Sequence, residues 1–185
     1  AMFQVLAKTY NMNVIGVGLG GATTNIYSVY DGRFVRSVSA NLGMSYSSYN
    51  VLASAGIENA TRWIPFEIDI RNRVSNKMIR PTTIPQIIED LIIEHAIARE
   101  ALRLGFVHHK LLARPLLGAT RTEEEMFNRM LKEEEYGKTY IDMMRVSWIG
   151  GTGGLLSHAP SRTQSALILI DGFQPEGITM LAQDS

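Results

Sequence analysis

The sequence contains no cysteine, which excludes disulfide bonds, thiolate catalysis and cysteine-ligated metal centres. It also lacks an excess of either charge sign, since 18 basic residues balance 18 acidic ones. This balance argues against a general nucleic-acid-binding protein, which usually has a basic surplus. No apolar run reaches the roughly 20 residues that a membrane-spanning helix needs. The four histidines are scattered without a His-x-x-x-His spacing, so the pattern offers no metal site.

Length and composition predict one soluble globular domain over residues 1–185, with 45% hydrophobic residues to form its core. No basic segment followed by an apolar one opens the chain, so we expect a cytoplasmic protein with neither nucleic acid nor membrane as a partner. Ala1 ahead of Met2 is typical of a cloning remnant, and residues 1–12 are interpreted as a leading segment before the first strand. Composition does not specify an oligomeric state.

Three strands are predicted at the start of the domain, over residues 13–18, 23–30 and 34–39. The first is an apolar run, and the second is rich in β-branched and aromatic residues. Asp31 and Gly32 separate the second strand from the third. This pair favours a two-residue hairpin turn, because both turn positions adopt positive φ. The pattern therefore predicts an α/β domain whose mixed sheet starts with three antiparallel strands.

Helices and further strands are predicted to follow. Three helices have a capping-box pattern at their start, and the boxes begin at Thr83, Thr122 and Ser161. The first of these helices is expected to end at Gly105, the second at about residue 136 and the third at about residue 170. A further helix is predicted over residues 45–55, an irregular or partly helical region over 56–81, and strands over 143–149 and 177–182.

Two glycine-rich segments carry the chemical signal. Residues 16–21 satisfy the spacing G-x-G-x-x-G, but a dinucleotide-binding fold requires a helix directly afterwards, and residues 23–29 are predicted as a strand. Neither segment continues into Gly-Lys-Ser/Thr, which excludes a P-loop. The remaining interpretation is a strand–turn–strand unit that holds phosphate through backbone N–H groups and threonine hydroxyls. Residues 150–154 follow a strand, where ligands of α/β sheets collect.

Residues 14–29 and 148–160 resemble the MutL-like accessory family associated with adenosylcobalamin-dependent glutamate mutase. This family is unrelated to the mismatch-repair protein of the same name. Residues 36–47 and 170–179 are similar to it as well. Its members resemble actin, heat-shock-protein and sugar-kinase ATPases, which have ribonuclease H-like halves. The resemblance implies one ribonuclease H-like, actin-like ATPase lobe, belonging to a longer two-lobed protein.

The same resemblance implies a nucleotide site. Residues 18–24 match the second phosphate loop of such ATPases, and residues 150–154 match their adenosine loop. The implied phosphate-binding residues are Gly20, Gly21, Ala22, Thr23 and Thr24. The implied adenosine-binding residues are Gly150, Gly151, Thr152, Gly153 and Gly154. The implied ligand is Mg-ATP or ADP in the full-length protein, with none bound by this chain alone. The implied partners are the missing N-terminal lobe and a cobalamin-dependent mutase.

Two positions depart from the family pattern Asp-x-Gly-Gly-Ala-Thr-Thr-Asp. Gly18 and Asn25 occupy the acidic positions, and Gly18 can orient neither Mg²⁺-bound water nor an attacking water. We therefore assign no catalytic residue and no metal ligand, and expect no enzymatic activity from the chain alone. The substitution also favours an interaction module that keeps the fold without nucleotide. A ribonuclease H-like nuclease is the third hypothesis, although it needs clustered acids for two metal ions.

Each of these residues also has an interpretation that involves no ligand. Glycine clusters often form tight turns with no ligand. Strand alternation directs one member of the pair Thr23 and Thr24 into the core. His158 follows the second glycine segment, and structuring a helix start is a simpler role for it than contact with a ligand.

Overall fold

The computed structural model of the chain describes residues 2–114 and 139–184. Its helices are α1 (Met2–Tyr10), α2 (Ser48–Ala55), α3 (Ile57–Thr61), α4 (Ile70–Ile79), α5 (Ile88–Leu112), α6 (Gly154–Ser157) and α7 (Arg162–Phe173), with a 3-10 turn at Met143–Arg145. Its strands are β1 (Val14–Leu19), β2 (Thr24–Tyr30), β3 (Arg33–Ser39), β4 (Trp148–Thr152) and β5 (Met180–Gln183). The helix predicted over 122–136 lies outside the described residues. Within those residues no helix combines the length and the hydropathy needed to cross a bilayer.

The five strands form one mixed sheet in the order β3-β2-β1-β4-β5. β2 pairs antiparallel with both β1 and β3, whereas β1, β4 and β5 run parallel to one another. Asp31 and Gly32 have φ values of 46° and 76°, as their hairpin turn requires. An α/β domain with three antiparallel opening strands is confirmed. The segment after the first glycine turn is a strand, which removes the dinucleotide-binding alternative.

The main core lies between one face of this sheet and helices α5 and α7. Alternate residues of β1 enter it, namely Ile15, Val17 and Leu19, and each is at most 2% exposed. Gly105 lies within α5, where an added Cβ would come 3.2 Å from the Cγ2 of Thr24 on β2. The glycine therefore allows the helix to approach the sheet closely. The expected helix end at Gly105 is wrong, because tertiary packing outweighs the local preference of glycine.

The capping boxes proposed for α5 and α7 do not form. Helix α5 begins at Ile88, and its N-cap residue Ile87 makes no side-chain cap. Gln86 instead donates its side-chain amide to the carbonyl of Ile84 at 3.0 Å. Ser161 is the N-cap of α7 but makes no side-chain cap hydrogen bond. Residues 80–87 consequently form an irregular segment ahead of α5. The strand that was predicted over residues 143–149 starts only at Trp148.

Helix α1 covers the opposite face of the sheet, where no helix was expected. The Phe3 ring lies over Gly16, at whose position a Cβ would come 2.2 Å from a ring carbon. The same ring stacks on Tyr27 with a centroid distance of 5.5 Å. Trp148 lies over Gly150 in the same way, with a ring carbon 2.1 Å from the place of a Cβ. Both glycines therefore make room for an aromatic ring that lies flat on the sheet.

His109 is buried between α5 and the sheet, where both its ring nitrogens have hydroxyl partners. Nδ1 lies 2.8 Å from the Oγ of Ser37, and Nε2 lies 2.9 Å from the Oγ of Ser28. Burial, with a smaller contribution from neighbouring His108, lowers the pKa of His109 to about 4. Burial likewise lowers the pKa of His95, on the same helix, to about 4. Both imidazoles are therefore neutral in the folded protein at neutral pH.

We expect the free energy of unfolding to decrease as the pH falls from about 6.5 to about 4. The unfolded chain takes up protons at His95 and His109 near pH 6.5, whereas the folded chain does so only near pH 4. The contribution of the neutral histidines to the free energy of unfolding is fully present above pH 6.5. Protonation of each histidine in the unfolded chain lowers the free energy of unfolding by about 3 kcal/mol by pH 4. Urea unfolding of the wild type and His109→Gln at pH 7 and pH 4.5 measures this effect. Equal pH slopes for the two proteins would contradict the assignment to His109.

Candidate functional site

The glycine turn between β1 and β2 presents backbone donors to solvent. The N–H of Gly20 donates to the carbonyl of Thr23 at 2.9 Å and closes the turn. The carbonyls of Gly20 and Gly21 accept N–H groups from residues 44–45, which hold the turn in place. Within the described residues, the N–H groups of Gly21, Ala22 and Thr23 have no acceptor. Successive unpaired backbone N–H groups of this kind can receive an anion.

The two threonines of the turn point in different directions. Thr24 is fully buried, and its hydroxyl donates to the carbonyl of Leu42. Thr23 is half-buried, and its hydroxyl oxygen accepts from the Asn25 side-chain amide at 3.2 Å. Thr23 is thus the more exposed of the two.

Gly18 is not required by packing. A Cβ at this position would meet only the Cγ2 of Thr152, at 3.8 Å, which is an ordinary contact distance. Steric contact at the Cβ position therefore does not explain why glycine stands at this position.

Three of the five residues of the second glycine segment lie within the sheet. Gly150, Gly151 and Thr152 belong to β4. Gly150 is covered by Trp148, and a Cβ on Gly151 would come 2.9 Å from a methyl group of Leu169 in the core. These two glycines have packing roles and do not reach a ligand surface. The Thr152 hydroxyl donates to the Asp184 carboxylate at 2.9 Å.

The turn proper begins at Gly153, whose φ is +116°. The position of its missing Cβ lies 2.1 Å from the carbonyl oxygen of Leu19, at the end of β1. Only glycine allows this approach, which brings the two glycine segments together at one edge of the sheet. Gly154 then starts α6, and nothing lies within 4 Å of its Cβ position.

Both glycine segments line one cleft of about 570 Å³. Gly20 and Gly21 form part of one wall, and Gly154 and His158 form part of another. Residues 81–88, the irregular segment and the start of α5, form the third. His158 is exposed and ends α6, so it stands at the cleft without a fixed contact in the described chain.

An ion pair lies in the same cleft. The ammonium of Lys77 on α4 donates to the carboxylate of Glu94 on α5, and these side chains are only 17% and 15% exposed. Burial lowers the pKa of Lys77 to about 8, while Asp90 acts in the opposite direction. The ammonium is thus the main form at neutral pH. Sequence reasoning missed both residues, because Lys77 reaches Glu94 only once residues 70–79 are helical.

Within residues 2–114 and 139–184 no three His, Asp or Glu side chains converge to hold a metal ion. A two-metal nuclease depends on such a cluster, so the described structure gives that hypothesis no support.

The family model described as MutL protein matches residues 1–185 of this chain. The chain belongs to the MutL protein family. A relative, Protein MutL of Clostridium tetanomorphum, is 24% identical over 164 residues, which cover 80% of this chain and 33% of that protein. The chain thus spans about a third of the length of this curated relative. The family expected from the two glycine segments is confirmed.

We expect Gly153→Ala to destabilise the MutL-family fold and Gly154→Ala to leave it nearly unchanged. A Cβ on Gly153 would meet the Leu19 carbonyl and impose a backbone conformation that costs about 1–3 kcal/mol in non-glycine residues, apart from the clash. The neighbouring glycine has open space and serves as the matched control. Thermal unfolding of both variants tests the difference, and equal midpoints would show that this approach does not constrain the fold.

Proposed function

We propose that this chain forms the nucleotide-binding lobe of a two-lobed, actin-like accessory protein that serves a cobalamin-dependent mutase. The observation that carries the proposal is a cleft of about 570 Å³ that is lined by residues of both glycine segments, Gly20 and Gly21 on one side and Gly154 on the other. Within the described residues the N–H of Gly21 has no acceptor. The N-terminal lobe of the parent protein would close this cleft from the other side. Mg-ATP or ADP is the proposed ligand in the full-length protein.

The strand arrangement supports a ribonuclease H-like lobe over residues 1–185. An antiparallel trio is followed by two strands parallel to the first, and the central β1 is flanked by β2 and β4. This arrangement places the proposed phosphate turn between β1 and β2, and the proposed adenosine turn directly after β4. Membership of the MutL family supports the accessory role, while the mutase partner rests on the sequence resemblance.

The cleft walls suit the two ends of a nucleotide. Phosphate oxygens would accept from the N–H groups of Gly21, Ala22 and Thr23, as anions do in backbone nests. Adenosine would lie between α6 and the irregular segment, where Ile84 and Ile88 are 72% and 70% exposed. A base stacked on these side chains would cover apolar surface that is now in water.

This chain alone is expected to retain no bound nucleotide, and ADP added at millimolar concentration is expected to bind only weakly, with amide chemical-shift changes at residues 20–23 and 154–158. Ile84→Asp should weaken binding, because it places a negative charge beside the ligand, whereas Ile178→Asp should not. Ile178 is 99% exposed and does not line the cleft, so it is the matched control. Shift changes confined to the α1 face of the sheet would show that the site is misplaced.

We also expect no ATP hydrolysis above the buffer rate. Gly18 supplies no carboxylate to orient water, and the proposed N-terminal lobe that would close the cleft is not part of the chain assayed. Water activation and cleft closure are therefore both lacking. Phosphate release from Mg-ATP is the measurement. Turnover clearly above buffer that disappears in Thr23→Ala would overturn this expectation.

The absence of a carboxylate at Gly18 favours one alternative, an interaction module that keeps the fold without nucleotide. The two proposals differ in a thermal-shift titration with Mg-ATP. A concentration-dependent rise in the melting temperature supports nucleotide binding, and an unchanged melting temperature at millimolar ligand supports the interaction module.

A further inference from the structure

The cleft contains one lysine or arginine and one acidic residue among its described lining residues, and these two are paired with each other. Lys77 and Glu94 bridge α4 and α5 beside the wall formed by Gly20 and Gly21. Both are mostly withdrawn from solvent. Removing two charges from water is costly, and their mutual attraction often fails to compensate fully. The burial of this pair is therefore weak evidence that its only role is to stabilise the fold.

A second ion pair joins the same helices one turn earlier. Arg73 lies four residues before Lys77, and its guanidinium contacts Asp90, four residues before Glu94, at 3.2 Å. These side chains are 48% and 35% exposed and do not line the cleft with the glycine turn. The helices are thus already bridged by a pair that costs less to desolvate. The inner pair differs in its place, because it lines the same cleft as Gly20 and Gly21 of the glycine turn.

We propose that Lys77 is a polyphosphate-binding residue. In the free protein Glu94 neutralises its ammonium, and an anionic ligand takes the place of the Glu94 carboxylate when it binds. This inference rests on the proposed nucleotide site and extends it to the chemical class of the ligand. A phosphate chain bound at the glycine turn brings more negative charge into the cleft than one carboxylate does, so it competes with Glu94 for the ammonium. The donors at residues 21–23 and Lys77 would then hold the same phosphate chain. Adenosine, which lacks phosphate, gains nothing from Lys77.

The test compares two variants in which Glu94 is already neutral. Glu94→Gln removes the competing carboxylate, and Lys77→Gln/Glu94→Gln then removes the ammonium without leaving a buried unpaired carboxylate. Arg73→Gln/Asp90→Asn, which deletes the outer pair between the same helices, is the matched control. Calorimetric titrations with ADP and with adenosine are run at pH 6.5, where Lys77 stays charged, and thermal unfolding checks that each variant is folded.

We expect ADP to bind the double Lys77/Glu94 variant about tenfold more weakly than Glu94→Gln, as the loss of one charge-assisted hydrogen bond predicts. Adenosine affinity should be the same in both, and the control should match the wild type with either ligand. Equal ADP affinities would overturn the role of Lys77 and leave the nucleotide site standing. Equal losses for adenosine and ADP would overturn it too, because they would indicate a structural role. Binding of neither ligand to any variant or to the wild type would overturn the nucleotide site and this inference together.

Discussion

Strand β1 pairs antiparallel with β2 on one side and parallel with β4 on the other, and the candidate site depends on this double pairing. The antiparallel pair leaves a glycine turn at the end of β1, and the parallel pair brings the end of β4 to the same edge. At that edge Gly153 comes so close to the Leu19 carbonyl that no side chain could be accommodated. The approach of two backbones, rather than any side-chain contact, therefore brings the two glycine segments together at this edge.

Glycines with similar sequence surroundings have different tasks in this chain. Gly16 and Gly150 accommodate the flat rings of Phe3 and Trp148, and Gly105 lets α5 settle on β2. Gly21 lies at the cleft with an unpaired N–H group. A glycine-rich motif is thus partly a packing signal, and only its position relative to the sheet edge tells the two uses apart.

The buried charged residues likewise fall into two groups, one with a structural role and one at the cleft. Glu100 is fully buried, yet its carboxylate accepts hydrogen bonds from Arg62, Arg103 and the indole N–H of Trp63, which ties α3 to α5. Those donors compensate its desolvation, and no further partner is required. The pair of Lys77 and Glu94 has cleft on one side instead. A ligand can therefore reach it, which sets it apart from a network that only holds helices together.

Local sequence determined the opening hairpins, because Asp31–Gly32 and β-branched alternation impose their geometry without help from distant residues. It also identified the family, and it predicted the glycine turn on which the proposed site is built. The helix end at Gly105 was predicted wrongly, since packing against the sheet outweighs a glycine preference worth about 1 kcal/mol. The helix start at Thr83 was also wrong, because α5 begins only at Ile88. Only the tertiary structure shows that Gly150, Gly151 and Thr24 lie outside the cleft and that Lys77 pairs with Glu94. Their roles depend on contacts between segments far apart in the chain, which no local pattern records.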